Sequence, residues 1–203
     1  MWLNSDDINQ SDNTTIQTWA DAAGNDDNAI QNNSASRPTF RNNATDNING
    51  HPIVQGAFGR ALGMAARDEV NGGGEKVIFA VIRTGSNTVA RQVLVDFGGI
   101  ANGFNMYLNS GRLYAGAWDN NSWWVNNTVT TNRTYLAQFV YDGTRLRLSL
   151  STPGFASTIN ESNFSDTYIS PSANLGAVGS AQQQTKYHNG VNINAGYSDF
   201  FTG

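Results

Sequence analysis

The sequence predicts an all-β protein, an antiparallel β-sandwich or jelly roll, and three observations carry that expectation. From residue 76 onward the chain consists of short runs rich in β-branched and aromatic residues, bounded by Gly, Asn, Asp and Ser, the pattern of strands joined by tight turns. The turn signals recur about every 8–12 residues, the spacing of sandwich strands. No helical period of useful length occurs anywhere. At 203 residues and 39% hydrophobic, one domain spanning residues 1–203 is expected, because β-sandwiches of about 200–250 residues routinely stay undivided.

Residues 1–50 are polar, with apolar anchors far apart (Trp2, Ile8, Ile16, Trp19, Ile30, Phe40, Ile48), which predicts long loops tethered between short strands. Lys76 to Arg83 is the first long run, and its unbroken apolar centre, Val77-Ile78-Phe79-Ala80-Val81-Ile82, predicts burial on both faces. Gln92 to Phe97 follows. A meander then runs from Phe104 to Leu108, turns at Asn109-Ser110-Gly111, continues from Arg112 to Trp118, turns at Asp119-Asn120-Asn121-Ser122 and resumes at Trp123. These turn residues accept left-handed backbone or bond their own main chain, so each marks a reversal. Tyr135 to Tyr141, the Asp142-Gly143 turn and Arg145 to Leu150 form the clearest hairpin, with Leu146, Leu148 and Leu150 facing the core. Gly72-Gly73-Gly74, Gly98-Gly99 and Gly176 to Gly179 punctuate the strands.

Composition excludes several roles. Charged residues make up 14% and the net charge is −4, so no basic surface is available to neutralise a run of phosphates, and nucleic acid is not an expected partner. No apolar run reaches the ~18–20 residues of a membrane span, and Met1-Trp2-Leu3-Asn4 is not the start of a signal peptide. The chain has no Cys, which removes disulfides, thiolate metal sites and Cys nucleophiles. About one residue in eight is Asn, and Asn-x-Ser/Thr sequons occur by pattern, for example at Asn13, Asn43, Asn126 and Asn160.

A more specific pattern lies at the start. Trp2-Leu3-Asn4, Trp19-Ala20-Asp21-Ala22-Ala23-Gly24-Asn25, Asn28-Ala29-Ile30-Gln31, Arg37-Pro38-Thr39-Phe40 and Asn49-Gly50-His51-Pro52-Ile53-Val54 follow in that order. This opening resembles that of the LamG-like, concanavalin A-like jelly-roll domains of secreted and surface proteins. The resemblance extends through Val77–Ile82, the Tyr135–Leu150 hairpin, Asn174-Leu175-Gly176-Ala177 and Phe200-Phe201-Thr202-Gly203. It implies a binding or packaging module at an extracellular, cell or virion surface. Two departures stand out. The family pattern continues past the final aromatic pair with a terminal strand of the type I-A-E-hydrophobic-x-hydrophobic-Tyr, whereas this sequence stops at Gly203. Either the remainder lies outside this sequence, or another copy or a partner strand completes the open edge. The family's F-D-G segment is replaced by Gln55-Gly56-Ala57-Phe58-Gly59, which removes an acid.

Catalysis finds little support in the residues. A retaining glycosidase needs two carboxylates about 5–5.5 Å apart, and on a strand this calls for acids at alternate positions. The glutamates Glu69, Glu75 and Glu161 form no such pattern, and Asp68-Glu69 are adjacent in a glycine-rich stretch. No Ser sits in a Gly-x-Ser-x-Gly elbow; His51 and His188 read as exposed or turn residues. Calcium is the expected ion if one binds, because hard cations take oxygen ligands, and Asp21, Asn25, Asp26 and Asp27 gather such groups around Gly24. Asp21 is equally suited to bonding the Gly24-Asn25 turn and holding Trp19 against the core.

The candidate ligand site is the aromatic cluster Tyr114, Trp118, Trp123 and Trp124 around the polar turn with Asp119, Asn120 and Asn121. An exposed indole stacks on the apolar face of a sugar while nearby Asp and Asn bond its hydroxyls. Trp123 and Trp124 are adjacent and must point to opposite faces of a strand, so one of them belongs to the core. The expected function is a non-catalytic recognition or adhesion module for a glycan or another cell-surface ligand. The alternative is a structural subunit of a surface filament, surface layer or virion, assembled by packing or donor-strand pairing.

Overall fold

A computed structural model of the chain describes residues 1–65, 74–119, 121–154, 156–163 and 176–203. Asp68-Glu69, Gly72-Gly73, Asn120 and Asn174-Leu175, all singled out above, lie outside these. The strands, in chain order, are β1 (Thr18–Trp19), β2 (Ala29–Ile30), β3 (Thr39–Arg41), β4 (Ile53–Gln55), β5 (Leu62–Met64), β6 (Lys76–Arg83), β7 (Gln92–Gly98), β8 (Gly103–Asn109), β9 (Arg112–Trp118), β10 (Ser122–Thr128), β11 (Thr134–Tyr141), β12 (Arg145–Ser151), β13 (Thr158–Asn163), β14 (Gly176–Val178), β15 (Ala181–Lys186) and β16 (Asn192–Ser198). Among the described residues the only helical turns are the 3₁₀ segments Ser5–Asp7 and Ser34–Ser36.

Two sheets enclose the core. One has eight strands in the order β1-β2-β5-β14-β7-β8-β9-β10, the other four in the order β13-β12-β11-β6; β3-β4 and β15-β16 are separate hairpins. All strand pairs are antiparallel. The expected turns form where the residues permit them. Ser110 and Gly111 both take positive φ, the two-residue turn whose twist suits a hairpin. Asp142 closes the β11–β12 turn by accepting from Thr144 N at 2.8 Å and Arg145 N at 2.7 Å.

Alternation builds the core. Leu146, Leu148 and Leu150 of β12 face Tyr135, Ala137, Phe139 and Tyr141 of β11 and, across the sandwich, Met106, Leu108, Leu113, Ala115 and Val125, all buried in one cluster. Full burial of such side chains stabilises the fold by about 1.5–3 kcal/mol each.

The expectation for β6 needs correction. The strand is not buried on both faces: exposure alternates, with Ile78, Ala80 and Ile82 turned to the core and Val77, Phe79 and Val81 exposed. The strand lies at the border of the four-stranded sheet, and none of the described strands packs over the outer side of Val77, Phe79 and Val81. A short apolar run cannot by itself distinguish a buried strand from one covered on one side.

Candidate recognition site on the outer face of the large sheet

The outer face of the eight-stranded sheet is occupied. The β15–β16 hairpin lies across β7 and β8 and is fastened by buried polar groups. Thr185 Oγ1 donates to Asp96 Oδ1 at 2.7 Å and accepts from Asn105 Nδ2 at 2.9 Å. Asn105 Nδ2 also donates to Lys186 O at 3.0 Å, and Gln182 N to Asp96 Oδ2 at 3.3 Å. Burial pushes the Asp96 carboxyl up to about 8, although the bonds from Thr185 and Gln182 pull the other way. The carboxyl is therefore protonated at neutral pH, which spares the interior an unpaired charge.

Beside this lock stands an aromatic stack. Tyr107 and Tyr114 lie parallel with centroids 5.3 Å apart, and the His188 ring stacks on Tyr114 at 3.9 Å. Tyr107 Oη accepts from His188 N at 2.9 Å and lies 2.6 Å from His188 Nδ1, where the imidazole tautomer sets which atom donates. Burial holds the His188 pKa below its usual value. Arg91 covers the Tyr187 ring at 4.1 Å, and both reach Asp199 Oδ2, at 2.9 and 2.7 Å.

The tryptophans divide as strand geometry demands. Trp123 turns inward against the core cluster, whereas Trp124 turns outward onto the second cluster, its ring edge-on to Tyr107 with centroids 5.8 Å apart. Trp118 lies on the outer face and stacks on Trp124 with centroids 5.6 Å apart. The expectation that Trp118 is an exposed platform fails: it is 0% exposed, and its indole N–H donates to Gly99 O at 2.8 Å. The covering comes from the loop after β7. Both indoles occupy space above glycines: a Cβ at Gly116 would overlap Trp124, and one at Gly103 would overlap Trp118. Of the three, Trp124 is the one both half-exposed and outward-facing.

The remaining residues of the expected site have smaller parts. Tyr114 is buried at 8%. Asp119 is half-buried and closes its own turn, Oδ1 accepting from Asn121 N at 2.9 Å, while Asn121 is exposed. Arg112 and Asn126, paired at 2.7 Å, share the outward parity of Tyr114 and Trp124 through the β9–β10 register. His188, Arg112 and Asn126 were not singled out for this site by sequence reasoning. His188 arrives there from more than 70 residues away in the chain, and no local spacing announces it.

In the Asp21 loop, the carboxylate serves the backbone. Oδ1 accepts from Trp2 N at 2.6 Å and Ala23 N at 3.0 Å, and Oδ2 from Asn25 N at 3.2 Å. Burial works to raise its pKa, but these donors prevail and the net shift is downward. Asn25 and Asp26 are exposed and Asp27 is buried. Among the described residues no three His, Asp or Glu side chains are gathered to hold a metal ion. A separate cleft of about 430 Å³ runs along Asp7–Gln10, Thr15–Ala20 and Arg37, and none of the residues of the Trp124 cluster lines it.

Solved structures provide the comparison. The LG1-3 region of the laminin alpha2 chain matches with a TM-score of 0.50 at 16% identity, over 62% of this chain and 26% of that one. The botulinum neurotoxin serotype G binding domain matches with 0.50 at 9%, over 80% and 42%, and HCR/D-Sa-GBL1/C with 0.52 at 12%, over 81% and 43%. The fold is a LamG-like jelly roll. The chain spans about a quarter of the laminin structure and about two fifths of the other two. No family model and no curated protein matches the sequence. Within the LamG-like sandwich, the Trp124 cluster lies on the face away from the core, at the β9–β10 border. No helix among the described residues is long and apolar enough to cross a membrane.

Proposed function

We propose that this LamG-like jelly roll is a non-catalytic recognition module that takes carbohydrate on the outer face of the eight-stranded sheet. The observation that carries the reading is the setting of Trp124: a half-exposed indole laid over Gly116 and stacked on the buried Trp118. A ring fixed in this way loses little freedom when it stacks on a sugar face. Arg112, Asn126 and Ser122 stand on the same face and offer donors and acceptors for ring hydroxyls. Catalytic acids do not enter the reading, because Glu161 is paired with Arg147 and Asp96 is sealed under the hairpin. Such a module acts at an extracellular, cell or virion surface. The fold comparison supports the binding role in general, and the carbohydrate assignment rests on Trp124.

A glycan array probed with the whole chain tests this, with hits followed by calorimetry. Binding is expected to fall at least tenfold on Trp124→Ala while the melting curve stays cooperative. Binding that survives Trp124→Ala, or the lack of any glycan hit, would contradict the assignment.

A further inference from the structure

We propose that the folded chain joins Thr185 to Asn105 by an ester bond, a self-made cross-link that pins the β15–β16 hairpin to the eight-stranded sheet. The three side chains that such a reaction needs stand together beneath the hairpin. Asp96 of β7 and Asn105 of β8 are direct partners in the strand register, and Thr185 of β15 reaches down to both. Its hydroxyl donates to Asp96 Oδ1 at 2.7 Å and accepts from Asn105 Nδ2 at 2.9 Å. A hydroxyl nucleophile, a carboxyl to take its proton and a carboxamide to be attacked thus share one point, and each of the three residues is 0% exposed. Carbohydrate recognition at Trp124 makes no use of them.

Thr185 Oγ1 attacks Asn105 Cγ while Asp96 Oδ1 receives the hydroxyl proton. On collapse of the tetrahedral intermediate the new O–C bond stays, the Cγ–Nδ2 bond breaks, and Asp96 returns the proton to the departing nitrogen. Ammonia leaves, no other reactant is consumed, and Asp96 ends as it began. A carboxyl that titrates near 8 suits this exchange, because general acid–base catalysis works best with a pKa close to the working pH. Burial keeps out the water that would compete with Thr185 or hydrolyse the ester. Two features make the step slow. Oγ1 faces the amide nitrogen, so the amide must turn about its last, soft torsion and release the bond from Nδ2 to Lys186 O. Asn105 Oδ1 moreover has no hydrogen-bond partner, and a missing oxyanion donor costs an enzyme about 10²–10³ in rate. The freshly folded chain therefore carries these side chains unlinked, and the cross-link accumulates with age.

Mass spectrometry of the full chain, fresh and after incubation at mildly alkaline pH until the mass no longer changes, tests this. The aged chain is expected to be lighter by one ammonia. After denaturation and trypsin, the peptide ending at Arg112 should appear joined to the one ending at Lys186, and hydroxylamine should separate them. Closure of an Asn-Gly pair on its own backbone also loses ammonia, and Asn49, Asn71, Asn102 and Asn189 each precede Gly, so the joined peptides decide and not the mass alone. Thr185→Val is expected to prevent the joining, Thr185→Ser to retain it, and Asp96→Asn to slow it at least a hundredfold. Separate peptides in the aged wild-type chain would overturn the proposal, and so would a joined pair that persists in Thr185→Val.

Discussion

The two outer faces of the sandwich solve the same problem in opposite ways. Over the eight-stranded sheet the chain lays its own hairpin, and Asp96, Asn105 and Thr185 fasten it while Tyr107 and Tyr114 pack with its Ala181 and with Tyr187. Over the four-stranded sheet no such layer covers β6 among the described residues, and Phe79, Val81 and the neighbouring Leu136 are exposed. The first face is covered by the chain itself and presents Trp124 at its margin. Among the described residues the second leaves the side chains of Val77, Phe79 and Val81 bare. Rigid recognition suits the former.

Breaking the covered face should have the larger effect. Trp118→Ala removes a fully buried indole and its bond to Gly99, and a loss of about 3–5 kcal/mol is expected in urea unfolding. A loss under 1 kcal/mol would mean that the ring is not packed as described.

The pH dependence of Asp96 comes next. Its carboxyl titrates near 8 when folded against about 3.9 when unfolded, so between those values the folded state binds the extra proton. The stability this contributes is complete below about pH 4 and declines as pH rises toward 8, by up to about 1.4 kcal/mol per pH unit. Asp96→Asn is expected to remove that slope from the urea midpoints. Asp21, with its pKa lowered, has the opposite sign: its contribution is present above about pH 4 and is lost in acid.

Thr185→Val leaves Asp96 and Asn105 each short of a partner and should cost about 1–3 kcal/mol in the same urea assay. Opening the Asp21 loop with Asp21→Ala is expected to fall in the same range or below. A rise in the wild-type melting temperature with millimolar calcium, abolished by Asp21→Ala, would place the ion in that loop, and no rise would leave the carboxylate to the backbone alone. On the bare face, Phe79→Ser should change stability by no more than about 0.5 kcal/mol, and a loss comparable to that of Thr185→Val would show that β6 is covered after all.

What the sequence revealed follows from how local each signal is. The β11–β12 hairpin is legible because the polar residues of β12 alternate with Leu146, Leu148 and Leu150 around an Asp-Gly turn, and each signal acts within a few residues. The opposite fates of Trp123 and Trp124 follow from strand alternation alone. The burial of Trp118 does not, because the covering Gly99 belongs to another turn. The β15–β16 hairpin was equally hidden, since Gln182-Gln183-Gln184 reads as solvent-facing and its anchor Asp96 lies more than 80 residues away. At β6 the composition is that of a strand, but what covers it is a property of topology and not of that segment.

The most direct test of the central claim follows the indole N–H resonances of Trp2, Trp19, Trp118, Trp123 and Trp124 during titration with the strongest glycan from the array. The Trp124 signal is expected to shift in proportion to occupancy, with Trp123 unmoved. A shift confined to Trp19, in the separate cleft, with Trp124 unchanged, would contradict recognition on the outer face of the large sheet.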